Sequence, residues 1–391
     1  MLMAAELKQT PVISEELKNW VSTAASSGAT DMHIEPYGEG LRVRLRVGGA
    51  LVQPPFQSEA PEGAVDQLKA MAGLPLGKSL APNSGIFSVD IEEGKMVSVR
   101  LTTFPTLRGD RLLLRFTSLE ELASFDELGL NTDQIRTLSQ TVSRRGGLTI
   151  VSGPWCSGKS ATLHVIARQL NREELHVVSI EEVIEREIPG VTQTQIDEAN
   201  GMDFASSLQH AMRHDPDVIV LGDIPDRATA KLVMDACMQG GFRVVAGFNS
   251  ATVFETVEGL IERGFDRDQL GYILSGVCMQ RLVRRICPHC KRPADETRAV
   301  RQQVGFALPE NAQFYAGAGC EACQKTGYLG RVGVYEVVRL TNELKGLLVK
   351  GAPLLQFKKA LRLLGVPTLR RDGAVKAEQG LTTLNEIVRV T

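Results

Sequence analysis

Aromatic residues are scarce, at 5% of the chain, and no apolar run is long enough to cross a bilayer. Apolar runs such as "VIVL" inside "DVIVLG" have the length of one buried strand at most, whereas a spanning helix needs about 20 apolar residues. Neither sign of charge dominates: 44 Lys and Arg stand against 46 Asp and Glu, for a net charge of −2. That balance excludes a global basic field for nucleic acid and an acidic solvating tail. The opening "MLMAAELKQTPVISEELKNW" lacks the basic segment and apolar centre of a signal peptide. These absences predict a cytoplasmic protein that reaches any membrane through partners.

What remains is a globular composition, 43% hydrophobic and 23% charged, over 391 residues, enough for two or three domains. Residues 1–118 read as an α+β domain. A helix is expected over 14–26, and "LRVRLRV" alternates apolar and basic residues as a half-buried strand does. "MVSVRLTTF" and "RLLLRF" repeat that alternation on either side of the turn-like "PTLRGD". A polar linker is expected over 119–135. From residue 136 to 286 buried strands alternate with helices, which predicts an α/β core with a parallel sheet covered on both faces. A cysteine-rich module over 287–330 and a small helical region over 331–391 complete the expected order.

The segment "IVSGPWCSGKSATLHVIA" carries the most specific chemistry. A strand delivers the chain to Gly153, and a helix is expected from Lys159. The loop runs through Pro154, and the backbone N–H groups of Trp155, Cys156, Ser157, Gly158 and the helix start through Ala161 can surround a β-phosphate, aided by the helix dipole. Lys159 supplies a charge near the β- and γ-phosphates, and Ser160 offers a hydroxyl to Mg2+. The spacing therefore predicts ATP binding. In "DPDVIVLGDIPD" a buried strand ends at Asp223, an acid placed to hold the water around Mg2+ or to accept a proton from it. "SIEEVIE" brings Glu181, Glu182 and Glu185 past another strand end, as metal-site acids or as a solvated acidic turn.

Seven cysteines include two CxxC pairs, Cys287 with Cys290 and Cys320 with Cys323. In a reducing compartment this pattern predicts a closed tetrahedral Zn2+ site of structural type, with His289 outside the ligand set. Cys156, Cys237 and Cys278 read as small buried hydrophobes. Arg42, Arg44 and Arg46 fall on one strand face. With Arg100, Arg111 and Arg115 they either solvate a surface or reach a phosphate on a neighbouring domain or subunit.

Taken in order, these elements resemble the type II secretion and type IV pilus assembly ATPases. "ATDMHIEPYGEGLRVRLRVGGAL" is similar to the family's N-terminal signature, and "TTFPTLRGDRLLLRF" to its "PTxxGE" segment. "GPWCSGKSATL", "IEEVIE" and "DPDVIVLGDIPD" resemble its Walker A, Asp box and Walker B. "MQRLVRRICPHCK" and "GCEACQKTGYLGRVGVYEV" resemble its zinc module. The resemblance spans roughly residues 14 to 391. It implies a PAS-like N-terminal domain, a RecA-like core, and a cytoplasmic hexamer at the inner membrane. Such a hexamer drives a platform protein and associated subunits of a secretion or pilus machine, with no nucleic acid partner and no membrane span. Longer members carry a further N-terminal domain without a counterpart in these residues. Arg100 and Arg115 are the arginines that this resemblance points toward phosphate.

The sequence also departs from the family pattern. Glu182-Val183 replaces Asp-Pro, Asp223 replaces the Walker B Glu, and Pro225 replaces the Arg after it. Gly241 and Phe248 stand where two histidines are usual, Gly48 replaces an Asp, and Cys156 replaces a loop glycine. Two readings follow: a motor that hydrolyses ATP, or a nucleotide-binding structural or regulatory paralogue that barely does so. A DNA-handling ATPase would require a basic surface that the composition lacks.

Overall fold

Helix α1 (Glu15–Ser26) begins where the Ser14 hydroxyl accepts from the Leu17 amide, and it buries Leu17, Trp20, Val21 and Ala24 along one face. The computed structural model describes residues 14–54, 63–92, 95–116, 124–239, 241–294, 298–309 and 311–391. After α1 come β1 (Ala29–Tyr37), β2 (Gly40–Val47), β3 (Ala50–Val52), α2 (Ala64–Met71), β4 (Asn83–Glu92), β5 (Lys95–Thr106) and β6 (Gly109–Phe116). The six strands form an antiparallel sheet in the order β3-β2-β1-β6-β5-β4. Alternation sorts its two faces. Val43, Leu45 and Val47 join the core beneath α1 and α2, while Arg42, Arg44 and Arg46 occupy the other face.

These elements lie within one compact unit, Met1–Glu121, and a second spans Leu122–Thr391. The second unit opens with α3 (Phe125–Leu128) and α4 (Thr132–Val142), then β7 (Leu148–Ser152), α5 (Lys159–Leu170), β8 (Val177–Glu181) and β9 (Thr192–Gln195). It continues through α6 (Phe204–Ala211), β10 (Val218–Leu221), α7 (Arg227–Met238), β11 (Arg243–Phe248), α8 (Val253–Glu262), α9 (Arg267–Ile273) and β12 (Leu274–Ile286). A small insertion holds β13 (Lys291–Ala294), α10 (Arg298–Gln303) and β14 (Phe314–Gly317). Then come β15 (Tyr328–Arg339), α11 (Asn342–Val349), α12 (Leu354–Leu363), α13 (Leu369–Glu378) and α14 (Leu384–Val390).

The main sheet runs β15-β12-β7-β11-β10-β8-β9, with every neighbouring pair parallel except β12 with β15. Its central strands are buried on both faces. Ile150, Ile180, Ile219 and Ala246 face one apolar cluster, and Val151, Val177, Val220 and Val245 the other. The order places β7 between β12 and β11, with β10 next, so everything that follows the carboxyl ends of these strands gathers at one end.

Two expected boundaries shift. Phe125 and Leu128 enter the core of the second unit and α4 starts at Thr132, so the described part of the 119–135 linker belongs to the core. The 331–391 region is not wholly helical: β15 runs to Arg339 as the antiparallel edge strand, and the cysteine module is inserted into the β12–β15 hairpin. Among the described residues no helix is long and apolar enough to cross a membrane.

Candidate functional site

Between the end of β7 and the start of α5, the chain makes the tight turn that the glycine spacing demands. A Cβ on Gly153 would lie 2.4 Å from Ser157 Oγ and 2.6 Å from the Gln280 carbonyl oxygen, so only glycine fits. Gly158 caps α5 at φ +87°. Cys156 takes φ +62°, a left-handed conformation that costs a non-glycine residue about 1 kcal/mol. Trp155 points outward, 76% exposed. Pro154 and Cys156 are also exposed, Ser160 lies exposed in the first turn of α5, and Ala161 packs partly buried behind it. The Ser157 hydroxyl is buried with no hydrogen-bond partner among the described residues, an unsatisfied group inside the cradle.

Lys159 spends its three donors on neutral oxygens: the carbonyls of Gly153 (3.1 Å) and Pro154 (3.0 Å), and Asn249 Oδ1 (2.8 Å). Burial pushes its pKa below the usual lysine value, and the nearby Asp223 carboxylate opposes that shift. Asp223, just past β10, is connected to it through Asn249, whose Nδ2 donates to Asp223 Oδ2 at 3.1 Å. The other Asp223 oxygen accepts from the Ile224 amide at 2.9 Å. Burial raises the Asp223 pKa. The Ile224 amide, Arg263 and Lys159 pull it back, while Glu182 reinforces the rise. A carboxyl so poised at the phosphate end of a parallel sheet can take a proton from water.

Asn249 was not legible as a site residue, and neither was Gln280. Gln280, fully buried on β12, donates to the Ser157 carbonyl at 2.8 Å and accepts from the Thr162 hydroxyl at 2.8 Å, pinning the loop to α5. Ser152, Ser250 and Thr256 form a closed hydroxyl triangle behind the loop, with spacings of 2.6, 2.8 and 2.9 Å.

The three glutamates separate. Glu181 is buried and held by His164 Nε2 (2.6 Å), the Ser179 hydroxyl (2.7 Å) and Gln193 Nε2 (2.9 Å). Burial pushes its pKa up, but these partners, His164 foremost, bring it below the usual carboxylate value. It thus joins α5 to β8. Glu182 and Glu185 are exposed in the following loop, and Glu182 is the one close enough to act on Asp223. Of the two positions where histidines were expected, only Phe248 lies at the phosphate end. It is 1% exposed, with the Arg263 guanidinium 4.6 Å above its ring. Gly241 precedes β11, at the opposite end of the sheet.

In the first unit, pairing across β2, β1, β6 and β5 sets Arg46, Asp31, Arg115 and Arg100 in one row. Arg115 Nε donates to Asp31 Oδ1 at 2.9 Å, and Arg100 Nε to the Ser84 hydroxyl at 3.1 Å.

The four module cysteines converge, with every pair of sulfurs within 4.8 Å. Cys287 to Cys320, Cys290 to Cys323 and Cys320 to Cys323 span 3.8, 3.8 and 3.7 Å. A tetrahedron with metal–sulfur bonds of about 2.3 Å has edges of about 3.8 Å, so the set fits one metal ion with a closed shell. Amides of Gly319 and Gly327 donate to Cys290 (3.3 Å) and Cys323 (3.2 Å), which favours thiolates.

Three comparisons place this geometry among known proteins. The chain is 34% identical over 383 residues to the type IV pilus assembly ATPase PilB of Thermus thermophilus, covering 96% of this chain and 42% of that one. It is 33% identical over 373 residues to the type II secretion system ATPase E of Vibrio cholerae, covering 94% of this chain and 73% of that one. The fold matches the ADP-bound pilus retraction motor PilT with a TM-score of 0.66 at 21% identity, covering 96% of each chain. Residues 6–389 match the family described as type II/IV secretion system protein. With a phosphate cradle after β7, an acid after β10 and a tetracysteine insertion on an edge hairpin, the chain belongs to the type II/IV secretion system protein family.

Proposed function

We propose that this chain is an ATP hydrolase that powers assembly of a type IV pilus or a type II secretion pseudopilus. The observation that carries the reading is the Lys159–Asn249–Asp223 chain at the phosphate end of the sheet, in a member of this family. An arriving phosphate replaces neutral acceptors around Lys159 with charged ones and frees Asn249. Ser160 holds Mg2+, Asp223 orients or deprotonates the attacking water, and Glu182 assists from the neighbouring loop. Glu181 and Glu185 have weaker claims, the first because its carboxylate is already committed to His164. Zn2+ fills the cysteine tetrahedron and keeps the module folded.

The working form in this reading is a cytoplasmic hexamer, bound peripherally to the inner membrane through a platform protein and associated subunits. Arg100 and Arg115 are the proposed phosphate-contacting arginines. A PAS-like assignment of that unit is supported by its antiparallel order, with the β1–β2 hairpin on one side of the centre and β6-β5-β4 on the other. The division proposed is a PAS-like α+β unit over 1–118 and a RecA-like core from 136, extended to include β15.

The buried, apolar Phe248 at the phosphate end favours one competing reading, a paralogue that holds ATP and barely cleaves it. Steady-state ATP turnover beside Asp223→Asn separates the two. The motor reading predicts turnover at least about 100-fold lower in the variant, with nucleotide affinity nearly unchanged. Equal turnover in both proteins, each binding ATP, would leave the paralogue.

A further inference from the structure

At the end of the main sheet opposite the phosphate loop, where β7 and β12 begin, there is a cavity of about 330 Å3 whose lining includes Arg144, Arg339 and Lys345. Arg144 follows α4, Arg339 ends β15 and Lys345 lies on α11, so three separate elements bring their cations to one place. The other lining residues are neutral: Ser275, Asn342 and Gln140 among them, with no carboxylate.

The charges are fixed rather than dispersed. Arg144 and Lys345 both donate to the Tyr272 carbonyl, at 3.0 and 3.3 Å, which holds two cations side by side. The Arg144 guanidinium also lies 5.9 Å from the Tyr272 ring centre. Arg339 donates to Gln140 Oε1 at 3.0 Å. Among the described residues none of the three forms an ion pair. Burial and the neighbouring Arg144 together push the Lys345 pKa below its usual value, as expected for cations crowded without a counter-charge. The two most deeply buried lysines among the described residues are matched to carboxylates, Lys69 to Asp110 and Lys376 to Asp372. A concave, polar, unanswered cluster of guanidinium and ammonium groups is a receptor for anionic oxygens.

We propose that this cavity binds a small polyvalent oxyanion, a di- or tricarboxylate or a pyrophosphate-type group, at a site separate from the phosphate loop. Titration calorimetry of the full chain with citrate and with inorganic pyrophosphate distinguishes the two chemistries. Citrate, or pyrophosphate beyond what the phosphate loop takes up, is expected to bind one per chain in the wild type, and that binding should be retained in Lys159→Ala, whose phosphate loop is disabled. Lys345→Met should weaken that binding at least about tenfold. Without anion, Lys345→Met should melt at or above the wild-type temperature, since a like-charge contact is removed, and it should gain a smaller shift than the wild type on adding the anion. Arg339→Gln, at an exposed position, repeats the test where a half-buried change is undesirable. The proposal is overturned if the folded wild type binds neither anion at millimolar concentration. Binding that disappears in Lys159→Ala but persists in Lys345→Met overturns it as well.

Discussion

Three lysines in this chain are taken out of water in two different ways. Lys69, in the first unit, is fully buried, and its ammonium is answered by the Asp110 carboxylate, the Gly77 carbonyl and the Ser79 hydroxyl. Lys376, in the second, meets Asp372 at 2.5 Å and the Gly333 carbonyl at 2.8 Å. Lys159 is also drawn inward but touches only neutral oxygens, and its nearest acid is separated from it by Asn249. The first two are closed accounts of charge, serving the fold. Lys159 keeps a charge unanswered until a phosphate arrives. The unanswered cations are therefore where binding belongs, and the matched ones are where stability belongs.

The contrast is sharpest where a matched lysine loses its acid. Asp110→Asn leaves the Lys69 ammonium buried without a counter-charge and should destabilise the first unit by about 3–5 kcal/mol. Denaturant unfolding followed by the fluorescence of Trp20, buried in that unit, reads the loss. A smaller effect of the same kind is expected at Glu386, which receives Arg284 (2.6 Å) and Arg389 (2.7 Å). Burial pushes its pKa up, but these arginines outweigh it and hold the pKa down at about 2. A depressed folded-state pKa gives stability that is present above the unfolded value near 4.3 and is lost as pH falls toward 2. The wild type should lose on the order of 2 kcal/mol over that window, trimmed by solvent at the half-exposed Arg389. Glu386→Gln should be less stable at neutral pH and flatter in acid. The mildest change falls on the bridge itself. Asn249→Ala should leave stability and nucleotide affinity nearly unchanged while lowering turnover about tenfold, as a positioning role for Asp223 requires. Loss of affinity with turnover per bound nucleotide preserved would assign Asn249 to binding alone.

How much of this could be read from the chain follows the same division. The phosphate loop, Asp223 and the cysteine pairs are written in local spacing, which needs no tertiary partner. Asn249 and Gln280 enter the cradle only because β11 and β12 flank β7, and strand order is not written in any one segment. Glu181 and Glu182 stand together in the sequence, yet period-two alternation separates adjacent residues at a strand end. One turns inward to His164 and the other outward. The edge strand β15 was masked by glycines that weaken a strand signal. One of them, Gly333, is needed for packing: a Cβ there would lie 2.2 Å from the Tyr335 hydroxyl. Tyr335 is itself buried, donating to the Leu128 carbonyl at 3.1 Å, a partner far away in sequence.

The most direct test compares Lys159→Met with Lys376→Met in thermal unfolding with and without ATP and Mg2+. Trp155, exposed in the loop, serves as a second reporter of nucleotide. The account predicts that Lys159→Met melts at or above the wild-type temperature but loses the ATP-induced shift and the Trp155 response. It predicts that Lys376→Met melts well below the wild type and, where folded, still responds to ATP. A Lys159→Met chain that falls as far as Lys376→Met while still binding ATP would contradict it.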